Sequence, residues 1–152
     1  MGISTIIIMA IDLENLLAEI YQLAAELAPS ENISRELVRL AGEERDHANL
    51  LRAGRNYQAR APEAFGQTRV SKEELLEGIK AAQDLLARIE NKKLLLVQIL
   101  YELIVLESRF EKIHLQTLVE IQDESLKKLF QRLAGEDRDH LNRLARLLEL
   151  IK

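Results

Sequence analysis

Apolar residues recur along this chain at intervals of three and four, in long stretches divided by short polar breaks. That is the pattern of amphipathic helices packed around a shared core. Over about residues 4–27 the apolar stripe is Ile7, Ala10, Ile11, Leu17, Ala18, Tyr21 and Ala24, and Pro29 with the polar turn Ser30-Glu31-Asn32 ends the helix. A second helix, over about 33–52, turns Leu37, Leu40, Ala41, Ala48 and Leu51 to one side, and Gly54 reads as its close. From Arg52 to about Val70 the pattern lapses around Pro62, Gly66 and four arginines, which predicts an irregular crossover. Ser71 followed by Glu74 is a capping-box signature that starts a connecting helix over about 72–89. No proline or glycine falls between Ile79 and Gly135, so the pattern leaves open whether this helix runs on or bends near Asn91-Lys92-Lys93. The third main helix, about 94–121, is apolar on nearly every face in its first half, as expected of a segment buried on more than one side. A subunit contact there would make the protein a homodimer. The last helix, about 125–151, carries Phe130, Leu133, Ala134, Leu141, Leu144 and Leu148 on its stripe. Four main helices, with the long crossover between the second and third, give one all-α domain over residues 1–152: a four-helix bundle with an extra helix.

The polar residues inside these stripes carry the chemistry. Glu14 interrupts the first stripe, Glu44 and His47 the second, Glu107 the third, and Asp137 and His140 the fourth. The stretch Leu40-Ala41-Gly42-Glu43-Glu44-Arg45-Asp46-His47 returns as Leu133-Ala134-Gly135-Glu136-Asp137-Arg138-Asp139-His140, 93 positions later. Aligned without a gap, 11–51 and 104–144 share 15 identities in 41 positions, so the chain is a duplicated two-helix unit. Glu14 falls on Glu107 and Tyr21 on His114. Each half therefore supplies a Glu from one helix and a carboxylate with a histidine three residues later from the next. Residues three apart share a helix face, so Glu44 with His47, and Asp137 with His140, can grip one ion each. Four carboxylates and two histidines are the ligand set of a carboxylate-bridged two-metal site in a ferritin-like bundle.

Composition narrows the chemistry further. A chain of 152 residues suffices for one domain with a sizeable core, and its formal net charge of -4 comes from interspersed signs. No basic surface for nucleic acid or membrane is indicated. The absence of cysteine excludes disulfides and cysteine-ligated iron. The apolar start, Met1 to Ala10, is short and lacks a leading positive segment, and Leu94–Leu106 is too short and too polar to span a bilayer. A cytoplasmic protein is the default expectation. No lysine or arginine lies on the stripes near the four acids, and burying unpaired carboxylates costs several kcal/mol each. Two divalent cations would balance four carboxylates. Oxygen and imidazole donors suit iron or manganese, with zinc also compatible. In the simplest arrangement Glu44 and Asp137 reach between the metals, His47 and His140 cap one each, and Glu14 and Glu107 complete the set. Asp137 is one methylene shorter than Glu44, which would confine it to one metal.

Glu14 with Tyr21 seven later, followed by Leu40-Ala41-x-Glu43-Glu44-x-x-His47, resembles the rubrerythrin branch of the ferritin-like superfamily, over nearly the whole chain except the crossover. The resemblance implies two iron ions, reaction with hydrogen peroxide or dioxygen, Glu14, Glu44, His47, Glu107, Asp137 and His140 as ligands, and Tyr21 as hydrogen-bond donor to a ligand carboxylate. The chain departs from that family in three places. It cannot hold a rubredoxin iron, so electrons would come from a separate donor protein or from ferrous iron. Phe110 stands where rubrerythrins carry an additional Glu, with Glu111 one residue further round. His114 replaces a second tyrosine, and reads equally as a donor, a proton relay, an extra ligand or a satisfied core histidine. Of the flanking acids Glu43, Asp46, Glu136 and Asp139, one of each pair could hold the free nitrogen of a ligand histidine. Asp46 and Asp139 read rather as surface partners of Arg45 and Arg138. Gly42 and Gly135, two residues before the ligands, suggest close helix approach. Beside an oxidoreductase stand two alternatives: a metal store or carrier without turnover, and a structural bundle that metal only stabilises.

Overall fold

The computed structural model describes residues 2–60 and 72–152. Five helices account for nearly all of them: α1 (Ile3–Ala25), α2 (Glu31–Arg60), α3 (Lys72–Glu90), α4 (Leu96–Glu120) and α5 (Glu124–Ile151). The expected cap at Ser71 and the breakers Pro62 and Gly66 lie outside the described residues. α1 and α2 form one antiparallel hairpin, with Ile7, Ala10 and Ile11 packed near Ala48 and Leu51. α4 and α5 form the other, tied at mid-length by Glu107 beside His140 and His114 beside Asp137. The hairpins face each other so that Tyr21 of α1 meets Glu107 of α4, and Glu36 of α2 meets Arg143 of α5. α3 covers the seam between α1 and α4. Its Leu75 packs with Ile6, Met9 and Ile113, the Gly78 backbone faces Leu13 and Arg109, and Arg88 pairs with Glu102.

Nearly every residue assigned to a stripe is buried; Leu141 is half-exposed. The apolar first half of α4 is largely explained within the chain. Leu96, Ile99, Leu100, Leu103 and Leu106 are buried against α1, α3 and α5, while Tyr101 and Val105 stay 50% and 58% exposed. Most of the apolar surface that suggested a subunit contact is therefore covered by the chain's own helices. No helix of the described residues is long and apolar enough to cross a membrane.

Two local expectations are corrected, and one question the pattern leaves open is answered. Gly54 does not end α2, which runs on to Arg60. A Cβ at Gly54 would stand 2.8 Å from Leu129 Cδ2, so the glycine lets α5 pack close rather than capping a helix. Three residues on, the Tyr57 hydroxyl donates to Asp123, whose side chain also accepts from the Leu126 amide as the N-cap of α5. The joint between α3 and α4 is a real end. Lys92 adopts φ 56°, and the Lys92 and Lys93 amides donate back to the Ile89 and Arg88 carbonyls. That is a Schellman closure, built on a lysine where glycine would have announced it.

Gly42 and Gly135 are the second correction. Nothing lies within 4 Å of a Cβ built at either. They sit on the outer side of their helices, so close approach does not explain their repetition. Alanine should restore the ordinary helix preference at no steric cost. We expect Gly42→Ala and Gly135→Ala each to stabilise the fold by about 0.5–1 kcal/mol, read from urea denaturation. A loss of stability in either would show a packing role not visible in the geometry.

Candidate metal centre

Helical spacing delivers eight polar side chains to the interior. Glu14, Glu44, His47, Glu107, His114, Thr117, Asp137 and His140 are all at most 1% exposed. Thr117 spends its hydroxyl on the Ile113 carbonyl, at 2.8 Å. The other seven include all six expected ligands, three from each hairpin. They form a polar layer between two apolar clusters, one around Leu17, Leu37, Leu103 and Leu144, the other around Ile7, Leu51, Leu126 and Phe130. A buried leucine contributes only about 2 kcal/mol, and the several-kcal/mol cost of each buried ion is of comparable or greater size. The layer is therefore not an incidental by-product of packing.

Within it, Glu44 lies between the two repeated histidines. Its Oε1 is 2.7 Å from His140 Nδ1 and its Oε2 is 3.3 Å from His47 Nδ1. Glu14 Oε2 is 3.6 Å from His47 Nδ1. Glu107 Oε1 is 3.3 Å from His140 Nδ1 and accepts from the Tyr21 hydroxyl at 2.6 Å, the role expected of Tyr21. The rings of His47 and His140 stack with centroids 5.2 Å apart. Two groups gather ligand atoms within 4.8 Å of one another: Glu44, His47 and His140, and Glu14, His114 and Asp137. The described residues thus hold two buried sets that could each take a metal ion. Asp137 belongs with His114, which it meets at 2.5 Å.

Many of these atoms have no hydrogen-bond partner: both oxygens of Glu14 and Glu44, Oε2 of Glu107, both nitrogens of His47, and Nε2 of His114 and His140. Native interiors leave few such atoms. Donors that share one cation at about 2.0–2.2 Å stand about 3–4 Å from each other, which is the spacing seen here. The donor set therefore fits a pair of divalent ions.

The electrostatics fit as well. Burial, then the charge of Glu44, pushes the Glu14 carboxyl up to about 8. Burial alone would lower His47, but its contacts with Glu14 and Glu44 outweigh that and raise it to about 12. His140 rises to about 11 in the same way, against burial, through Glu107 and Glu44. His114 is raised by Asp137 against its burial, and Tyr21 is raised by burial and Glu107. Without metal, protons on these groups do the balancing that cations would otherwise do.

Outside the layer, Glu136 Oε2 stands 2.9 Å from His47 Nε2, near enough to orient the imidazole but without hydrogen-bond geometry. The mirror contact is missing. Glu43 instead binds Arg143, at 2.8 Å, and Arg143 also reaches Glu36 and Asp139. Asp139 is thus paired with Arg143 and not with Arg138, which binds Glu111 at 2.8 Å and draws that carboxylate away from the layer. Arg143 was missed by sequence reasoning; the signal was a break in the repeat, where Leu50 is its counterpart. Phe110 is buried beside His114, ring centroids 6.1 Å apart. Compared with protein-family models, curated proteins and solved structures, the chain matches none of them, so the reading of the site rests on its own geometry.

Proposed function

We propose that this protein is a ferritin-like di-iron carboxylate oxidoreductase of the rubrerythrin type that reduces hydrogen peroxide or dioxygen. The observation that carries the reading is the buried layer of four carboxylates and repeated histidines, with its ligand atoms unpartnered and spaced for shared cations. Two ferrous ions held there would supply two electrons, the number that takes one hydrogen peroxide to water. Glu14, Glu44, His47, Glu107, Asp137 and His140 would hold them. Tyr21 keeps Glu107 in place through its hydroxyl and is a protonated donor beside the site, its proton held by burial and the Glu107 charge. The apolar clusters on either side exclude bulk water, which strengthens every charge interaction in the layer. Electrons to restart a cycle would come from a separate donor.

One observation favours a second reading, a bundle in which metal is only structural. Imidazole nitrogens stand 2.5–3.6 Å from carboxylate oxygens across the layer, so protonated histidines would balance these acids without metal. Anaerobic loading with Fe(II), followed by peroxide, separates the two. An oxidoreductase should bind two irons per chain, gain near-ultraviolet absorption on oxidation, and consume many equivalents of peroxide when a reductant is supplied. Binding of two irons with a single stoichiometric oxidation would leave a store or a structural site. No uptake of iron would end the di-iron reading.

A further inference from the structure

The duplication equates Tyr21 with His114, and the structure shows that the two have different tasks. Tyr21 closes on Glu107 with a finished hydrogen bond of 2.6 Å. The mirror-related pair is His114 and Glu14, and here Nε2 and Oε1 stand 4.0 Å apart. Neither atom has a hydrogen-bond partner, and both side chains are 1% exposed. An imidazole nitrogen buried without a partner loses the hydrogen bond it makes in water and gains none in return. The neighbouring Thr117 hydroxyl does not relieve it, being committed to Ile113. Phe110 and Phe130 flank the ring, with centroids 6.1 and 5.9 Å away, and hold it in place.

We propose that His114 is a seventh protein ligand, binding a divalent cation through Nε2 opposite Glu14, with Asp137 orienting its ring through Nδ1. The proposal rests on the reading of this layer as a metal centre. Two bonds of about 2.0–2.2 Å span up to about 4 Å, which matches the gap that the shorter imidazole leaves where a tyrosine would have closed it. A metal-bound imidazole normally gives its other N–H to a carboxylate, and Asp137 Oδ2 is 2.5 Å from Nδ1. The consequence is a centre with unlike halves. Glu44, His47 and His140 make one position with two imidazoles, while Glu14 and His114 face each other across another with a single imidazole, Asp137 standing behind that ring on its Nδ1 side. Nitrogen-rich sites suit zinc and cobalt, and oxygen-rich ones manganese, so the positions should fill in different orders with different metals.

The test uses cadmium alone, as ¹¹³Cd(II), added to two equivalents to protein carrying ¹⁵N-labelled imidazoles. We expect ¹¹³Cd–¹⁵N coupling at His114 Nε2, as well as at His47 and His140. In His114→Tyr, the residue at the matching place in the other half, the weaker cadmium should bind at least tenfold less tightly. Two bound cadmiums with coupling only at His47 and His140 would overturn the role of His114 and leave the metal centre standing. No cadmium uptake would remove both. The coupling is read in the parent protein, so the result does not depend on the variant folding.

Discussion

Replacing Glu44 with glutamine should lower the affinity for Fe(II) or Co(II) by more than 100-fold while leaving the bundle folded. Glu44 is the carboxylate that both repeated histidines face, at 2.7 and 3.3 Å. The amide keeps its volume and removes its charge, so packing is preserved while the shared anionic donor is lost. Partners that merely orient a ligand cost 10–100-fold when removed, and a group between two ligand histidines should exceed that range. The comparison is Glu43→Gln, one residue earlier, where the carboxylate is half-exposed and bound to Arg143; its effect on metal affinity should stay within a few-fold. Competition titration against a chelator gives the affinities, and circular dichroism confirms the fold. Affinity of Glu44→Gln within tenfold of the parent would sink the assignment.

The second large effect is a reversal of pH dependence on loading. In the metal-free fold Glu14 titrates at about 8 against 4.5 in the unfolded chain, so between these values the folded state holds a proton that the unfolded state has lost. Its contribution is complete below 4.5 and is lost as pH rises to 8. His47 and His140, held at about 12 and 11 against 6.5, have the same sign of slope above pH 6.5, and because His47 leans on the charge of Glu14 these contributions are coupled and do not simply add. Each unit of difference corresponds to about 1.4 kcal/mol. The metal-free protein should therefore lose on the order of several kcal/mol between pH 5 and 8, a large part of an ordinary domain's stability. Metal needs those same groups deprotonated, so loading releases protons and tightens as pH rises. With Co(II) in excess, stability should climb over the same interval. Urea denaturation at pH 5, 6, 7 and 8, with chelator and with cobalt, gives both slopes. Slopes of equal sign would mean that the bound metal does not displace these protons.

Much of this was legible in the chain because duplication and helical period speak about the same residues. Glu14, Glu44, Glu107 and Asp137 each sit in phase with apolar neighbours, and all four are buried. The described helix boundaries follow from the same period except where the signal was chemically ambiguous. Gly54 looked like a helix stop because glycine ends helices; it is there because Leu129 needs the space. Lys92 hid a helix end because a lysine took the left-handed position that glycine usually marks. At Gly42 and Gly135 the repetition suggests a contact that the helices do not make. The break in the repeat at Arg143 marks the residue but not what it binds, and the pairing of His114 with Asp137 leaves no mark in the sequence. Both depend on which residues meet across the bundle, and one-dimensional periodicity gives the face of a helix but not its partner.

The two apolar clusters that bracket the polar layer also decide how quickly it exchanges with its surroundings. They close the bundle along its axis, and a hydrated cation would have to shed its water to pass through them. The thin wall lies to the side, where Glu136, its side chain 38% exposed, stands against His47. Traffic past that carboxylate is a matter of residence time, set by how often α2 and α5 part. Bound metal should then leave at a rate that does not change with the concentration of external chelator, whereas a rate that rises with chelator would mean an open channel. A small uncharged oxidant has no shell to strip, so a wall that would retain cations would be a slight barrier to it.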